Sequence, residues 1–166
     1  ALQKIAGGLY DRREEFARLM TAEAGKPITD AKREVSRAVQ TFTVAAEEAK
    51  RIPGEVIPLD WTPGTDSHLG ILRRVPIGPV LGITPFNFPL NLVAHKVAPA
   101  LAAGNSILIK PAPQTPLTAL LLGEVVLEAG LPSGAVNILP CDNTVAEQLV
   151  VDPRFKLLSF TGSAAV

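Results

Sequence analysis

Apolar side chains recur at helical spacing over residues 2–24, at Leu2, Ile5, Leu9, Phe16, Leu19 and Met20. Asp11, Arg12, Arg13, Glu14, Glu15 and Arg18 fill the positions between, so this stretch predicts one amphipathic helix. Gly25 suits the residue that ends such a helix, and Pro27 follows as a stop. A second helix is predicted to start at Thr29 or Asp30 and to run to about Arg51, burying Val35, Ala38, Val39, Phe42, Ala45, Ala46 and Ala49. The short Gly-Pro turn makes the two an antiparallel pair. Residues 52–79 change character, because Pro53-Gly54, Pro58, Pro63-Gly64, Pro76 and Gly78-Pro79 all break helices. Short β-like runs lie between them, notably Leu69 to Val75, which predicts an exposed arm with edge strands.

From residue 80 the pattern alternates. Val80 to Thr84, Ser106 to Ile109, Val136 to Leu139 and Leu157 to Phe160 are short apolar runs that predict strands. Helices are predicted between them: from Pro89, placed at the first helical position, to Ala103, from Pro116 behind a Thr115 cap to about Ala129, and from Asn143 or Thr144 to Val151. Thr161-Gly162-Ser163 reads as the start of a further helix. The fold class is therefore α/β. An incomplete Rossmann-like parallel sheet over residues 80–166 follows an N-terminal region, residues 1–79, of two helices and a β arm of the kind used in oligomerisation. In such sheets ligands bind beyond the carboxyl ends of the strands, which makes the residues after each strand the candidates for chemistry.

Composition narrows the classes. Of 166 residues, 47% are apolar and 19% charged, with sixteen basic side chains balancing sixteen acidic ones. That balance argues against nucleic acid as a partner, since phosphate binding wants a basic excess. One cysteine excludes an internal disulfide framework and points to a reducing, cytoplasmic setting. No stretch reaches the roughly 18 uninterrupted apolar residues that a membrane span needs, and no signal-peptide pattern opens the chain. The chain starts at Ala1 and stops just after a helix start, so it is expected to be a fragment.

After the first strand, Asn87 offers two amide donors toward the crevice, suited to an oxyanion; the alternative is a turn asparagine bonding its own backbone. Lys110 ends the second strand, where an ammonium can bond ribose hydroxyls or phosphate, or simply reach solvent. Gly162-Ser163 at a helix start is a ready anion site or a plain cap. No complete G-x-G-x-x-G or P-loop occurs. His68 and His95 lack a third ligand at metal spacing, so no metal site is expected. Cys141 reads as a small buried residue rather than a nucleophile.

In order along the chain stand Pro85-Phe86-Asn87-Phe88-Pro89-Leu90, Ala98-Pro99-Ala100-Leu101-Ala102-Ala103-Gly104-Asn105, Ile109-Lys110-Pro111-Ala112-Pro113-Gln114-Thr115-Pro116, Leu131-Pro132-Ser133-Gly134-Ala135-Val136-Asn137 and Phe160-Thr161-Gly162-Ser163. Together these resemble the aldehyde dehydrogenase superfamily. The resemblance implies oxidation of an aldehyde to a carboxylate through a cysteine thiohemiacetal and thioester, with NAD or NADP taking the hydride. It implies that Asn87 steadies the oxyanion and that Lys110 bonds the adenosine ribose. Gly162 and Ser163 would contact phosphate, while Thr84, Pro85 and Phe86 would line the nicotinamide end. Lys96 matches a lysine often found near the catalytic centre. A homodimer or homotetramer is implied for the full-length protein.

Three departures matter. The motifs of the nucleophilic cysteine and the catalytic glutamate are absent, so the chain alone is not expected to oxidise aldehydes. Pro113 stands where many members carry a glutamate that bonds the ribose hydroxyls, which widens the expected cofactor choice toward NADP. Cys141-Asp142-Asn143 replaces a glycine-containing turn. The run Phe86-Asn87-Phe88-Pro89-Leu90-Asn91-Leu92 is most similar to the branch acting on lactaldehyde, glyceraldehyde 3-phosphate and succinate-semialdehyde-like substrates. Two alternatives are an acylating or semialdehyde-reductase type of member, and a non-catalytic nucleotide-binding paralogue.

Overall fold

The computed structural model describes residues 1–163. Three helices, not two, open the chain: α1 (Leu2–Asp11), α2 (Arg13–Ala24) and α3 (Ile28–Glu48). The predicted single helix breaks at Arg12, whose φ of −92° and ψ of 15° leave the helical region. The break accompanies two contacts with a later helix, α5 (Pro116–Glu128). Gly8 comes so close that a Cβ there would sit 2.7 Å from Val125 Cγ1. The Arg12 guanidinium bonds both Glu15 and Glu124. Gly25 ends α2 in the left-handed region, as its position predicts. Thr29 and Asp30 do not cap α3; Pro27 takes the cap position, and its carbonyl accepts from Asp30 N–H and Ala31 N–H. The helix stops at Glu48, short of Arg51.

The arm is a two-stranded antiparallel ribbon of β1 (Glu55–Pro58) and β2 (Leu69–Leu72), with Val56, Leu69 and Ile71 exposed. The β-like run thus pairs only as far as Leu72, not Val75.

The remaining strands, β3 (Val80–Ile83), β4 (Ile107–Lys110), β5 (Val136–Ile138) and β6 (Leu157–Phe160), form a parallel sheet in the order β5-β4-β3-β6. The chain first steps outward from β3 to β5, then returns to the other side of β3. That reversal makes the carboxyl end of β3 a topological switch point. The connecting helices are α4 (Asn91–Ala102), α5 and α6 (Asn143–Val150). On one face, α4 and α5 pack against α1, α2 and α3. Phe16, Phe42, Ile5, Leu9 and Met20 there share one continuous core with Val97, Leu122, Val80 and Ile109. On the opposite face, α6 stands across a cleft from Ile83, Lys110 and Leu158.

α4 starts at Asn91 rather than Pro89. Pro89 belongs to the preceding turn, Phe88 O accepts from Leu92 N–H, and Leu90 takes the cap position. The cap itself comes from elsewhere in the chain. One carboxylate oxygen of Glu34 in α3 accepts from both Leu90 N–H and Asn91 N–H at 2.9 Å. The start of α5 is served in the same way by Glu23 of α2, which accepts from Leu117 N–H, from Thr118 N–H at 3.2 Å and from the Thr118 hydroxyl at 2.6 Å. Neither helix has a side-chain cap from its own N-cap residue. Carboxylates suit these positions because a helix N-terminus presents unpaired N–H groups and a positive dipole end.

Candidate functional site

Three strand ends meet at one level. Ile83 pairs with Lys110 on one side and Phe160 on the other. The ladder continues one residue further, with Thr84 N–H donating to Lys110 O at 3.2 Å and Thr161 N–H to Ile83 O at 3.1 Å. Thr84, Lys110 and Thr161 are therefore neighbours, with Gly162 directly following.

Lys110 is only 3% exposed, so it does not reach freely into solvent. Its Nζ donates to Asn143 Oδ1 at 2.8 Å, at the start of α6. A cleft of about 520 Å³ opens beside it, lined by Ile83, Asn143, Glu147, Val150 and Phe160. An ammonium has three donors, and this one spends one on Asn143. The others suit ribose hydroxyls or phosphate oxygens, and the apolar lining suits an adenine ring, so the cleft fits a nicotinamide adenine dinucleotide.

Lys96 lies on the other face of the sheet. It is buried, and its Nζ donates to Thr161 Oγ1 at 2.8 Å and Ser159 Oγ at 3.2 Å. No carboxylate pairs with it among the described residues. Burial pushes its ammonium below the ordinary lysine range. Gly82 makes room for it: a Cβ there would lie 3.2 Å from Lys96 Cδ and 2.5 Å from Ile109 Cδ1.

After Thr84 the chain leaves the core. Pro85 is half-buried, while Phe86 and Asn87 are exposed. Among the described residues, the Asn87 amide makes no hydrogen bond. Its peptide is held instead: Lys26 Nζ donates to Asn87 O at 2.9 Å and stands 4.1 Å from the centre of the Phe88 ring. Arg37 of α3 lies over the same ring at 5.7 Å. Arg37 also opens a groove of about 650 Å³ between α3 and α4, lined by Gln40, Thr41, His95 and Pro99.

Gly162 and Ser163 are exposed beyond β6. The helix they were expected to open falls on residues 164–166, outside the described residues. Cys141 follows β5, two strand spacings or about 10 Å across the sheet from β3. Among the described residues, no cluster of three His, Cys, Asp or Glu side chains could hold a metal, and no helix is long and apolar enough to cross a membrane.

Sequence reasoning left several members of this arrangement without a role. Asn143 enters the sequence reading only as a helix start and as part of the Cys141-Asp142-Asn143 turn, and Lys26 and Glu34 do not enter it. Asn143 meets Lys110 across 33 residues, Glu34 meets Leu90 across 56 and Lys26 meets Asn87 across 61, so no local spacing signals these contacts.

Known proteins place this geometry. 3-Sulfolactaldehyde dehydrogenase of Priestia megaterium is 46% identical over 166 residues, covering 99% of this chain and 35% of the relative. An aldehyde dehydrogenase of Physcomitrella patens, solved in complex with the reaction product succinate, superposes with a TM-score of 0.92 at 53% identity, over 98% of this chain and 34% of that one. Glyceraldehyde-3-phosphate dehydrogenase of Methanocaldococcus jannaschii, complexed with NADP, superposes at 0.91 with 40% identity, over 99% of this chain and 36% of that one. The chain thus spans about a third of the length of the relatives it matches. The aldehyde dehydrogenase family model covers residues 1–166. With that match over its whole length and the same fold in the superposed structures, the chain belongs to the aldehyde dehydrogenase family.

Proposed function

We propose that this chain forms the cofactor cleft and the oxyanion donor of an NAD(P)-dependent aldehyde dehydrogenase, acting within a longer polypeptide. The observation that carries the reading is Lys110, a buried ammonium with unspent donors at the carboxyl end of β4, beside a cleft at the sheet's reversal. Lys110 would hold the ribose, Thr84, Pro85 and Phe86 would border the nicotinamide end, and Gly162 with Ser163 would meet phosphate. The nicotinamide, when bound, supplies a hydride acceptor. Asn87 donates its free amide to the oxygen of the aldehyde as that oxygen gathers negative charge. The thiol is not drawn from Cys141, which stands across the sheet from Asn87.

The substrate is a short aldehyde carrying an anionic group. The similar proteins are named for sulfolactaldehyde and glyceraldehyde 3-phosphate, and one holds succinate. Arg37, which lines the groove between α3 and α4, lies over the ring of Phe88, the residue after Asn87, and offers a cation there. Glu48, the groove's carboxylate, lies eleven residues or about 16 Å further along α3.

Steady-state kinetics of the longer enzyme with both cofactors test the reading. Asn87→Ala should lower kcat by about 10²–10³ with cofactor KM little changed. Lys110→Met should weaken cofactor binding by about ten- to a hundredfold. A wild-type kcat in the first, or unchanged cofactor binding in the second, would refute the corresponding role.

A further inference from the structure

The Asn87 loop has no secondary structure of its own from Thr84 to Leu90, yet a donor aimed at an oxyanion must hold its position closely. What holds it lies in the N-terminal helices. Glu34 is 1% exposed, a rare site for a carboxylate. One of its oxygens takes the N–H groups of Leu90 and Asn91, the residues that turn the loop into α4. Its other oxygen is paired with the Lys26 ammonium. That same ammonium donates to the carbonyl of Asn87 and lies against the Phe88 ring. Peptide groups at residues 87, 90 and 91 are thereby tied to one ion pair.

We infer that the Lys26–Glu34 pair is a positioning device for the Asn87 amide, fixing the loop at Asn87 itself and at its junction with α4 so that the amide is held in place. The inference rests on the oxyanion role proposed for Asn87. A buried ion pair contributes little net stability relative to well-packed apolar residues, so stability alone is a weak reason to keep one here. Three backbone contacts, two in the loop that carries the free amide and one on the first residue of α4 that follows it, give it a specific task. Lys26 and Glu34 touch neither the cofactor cleft nor Lys110, so their loss should spare cofactor binding.

A double-mutant cycle in the longer enzyme, with succinic semialdehyde as probe substrate and NAD or NADP saturating, reads this directly. Glu34→Gln removes the charge that holds Lys26. It should lower kcat by about ten- to a hundredfold while leaving cofactor KM within about twofold. In an Asn87→Ala background the same substitution should change kcat by less than about twofold, because the group it positions is gone. Equal losses in both backgrounds, or no loss in the wild-type background, would overturn the inference. An Asn87→Ala enzyme with wild-type kcat would also overturn it, and would be recognised as failure of the underlying role. If E34Q alone does not fold, the K26M/E34Q double variant leaves no buried unpaired ion and carries the same cycle. If neither yields folded protein by circular dichroism, the pair is a folding determinant and the inference falls.

Discussion

Removing the Glu23 carboxylate should loosen the first turn of α5 by an amount the structure lets one work out. Four N–H groups at the start of a helix lack partners within it. At α5, Thr115 N–H already donates to Ala112 O, and Pro116 has no N–H. The remaining two, on Leu117 and Thr118, both donate to Glu23. Glu23→Ala therefore removes the partner of both at once. Loss of a cap costs about 1 kcal/mol. The fully buried Thr118 hydroxyl, which also donates to Glu23, adds about 1 kcal/mol when left unpaired. A total of about 2 kcal/mol corresponds to roughly 30-fold more frequent opening of the turn. Hydrogen exchange by mass spectrometry on peptides spanning residues 113–122 reads this locally, without assuming that the whole protein unfolds in one step. Glu23→Gln keeps one acceptor oxygen and should give about half the effect in free energy. With Thr118→Val already present, Glu23→Ala should cost about 1 kcal/mol less. Unchanged exchange in E23A, or full additivity with T118V, would refute the reasoning.

Two further outcomes are expected. Lys96 is pushed below the ordinary lysine range by burial, so between its folded pKa and the usual value near 10.4 the unfolded chain binds more protons than the folded one. Stability should therefore rise with pH through that window. Lys96→Met should raise the denaturation midpoint at neutral pH and flatten that rise; a lower midpoint at neutral pH would show that the ammonium is stabilising. Pro113→Glu in the longer enzyme should raise the ratio of kcat/KM with NAD to that with NADP, because a carboxylate can accept from both ribose hydroxyls and repels a 2′-phosphate; an unchanged ratio removes the argument.

What the sequence made legible was periodic or punctuated. The bounds of the apolar strands fall within a residue of those the pattern predicts, since short apolar runs bounded by Gly, Pro and polar groups have few other readings. Gly25 and the Thr115-Pro116 start were legible because their backbone requirements are local. The Arg12 break was not, because nothing in the periodicity of residues 2–24 reports that Gly8 and Arg12 must meet α5. The start of α4 was misplaced for a related reason: Pro89 is a good first helical residue in isolation, but Glu34 caps the chain one residue later. At the site, Lys110 and Asn87 were marked by position after strands. Lys26, Glu34 and Asn143 carry no local mark, since each acquires its role from a residue distant in the chain.

The carboxylates that cap α4 and α5 also set an order of events during synthesis. Glu34 precedes its partner Leu90 by 56 residues, and Glu23 precedes Leu117 by 94. At about 5–20 residues per second, Glu23 is made roughly 5–20 s before its partner. Until then α2 and α3 have only each other and α1 to bury Phe16 and Phe42 against. The sheet helices, when they emerge, lack caps of their own and find them already waiting on a preformed surface. The N-terminal helices thus act as a mould made first, on which the nucleotide-binding half of the chain is cast.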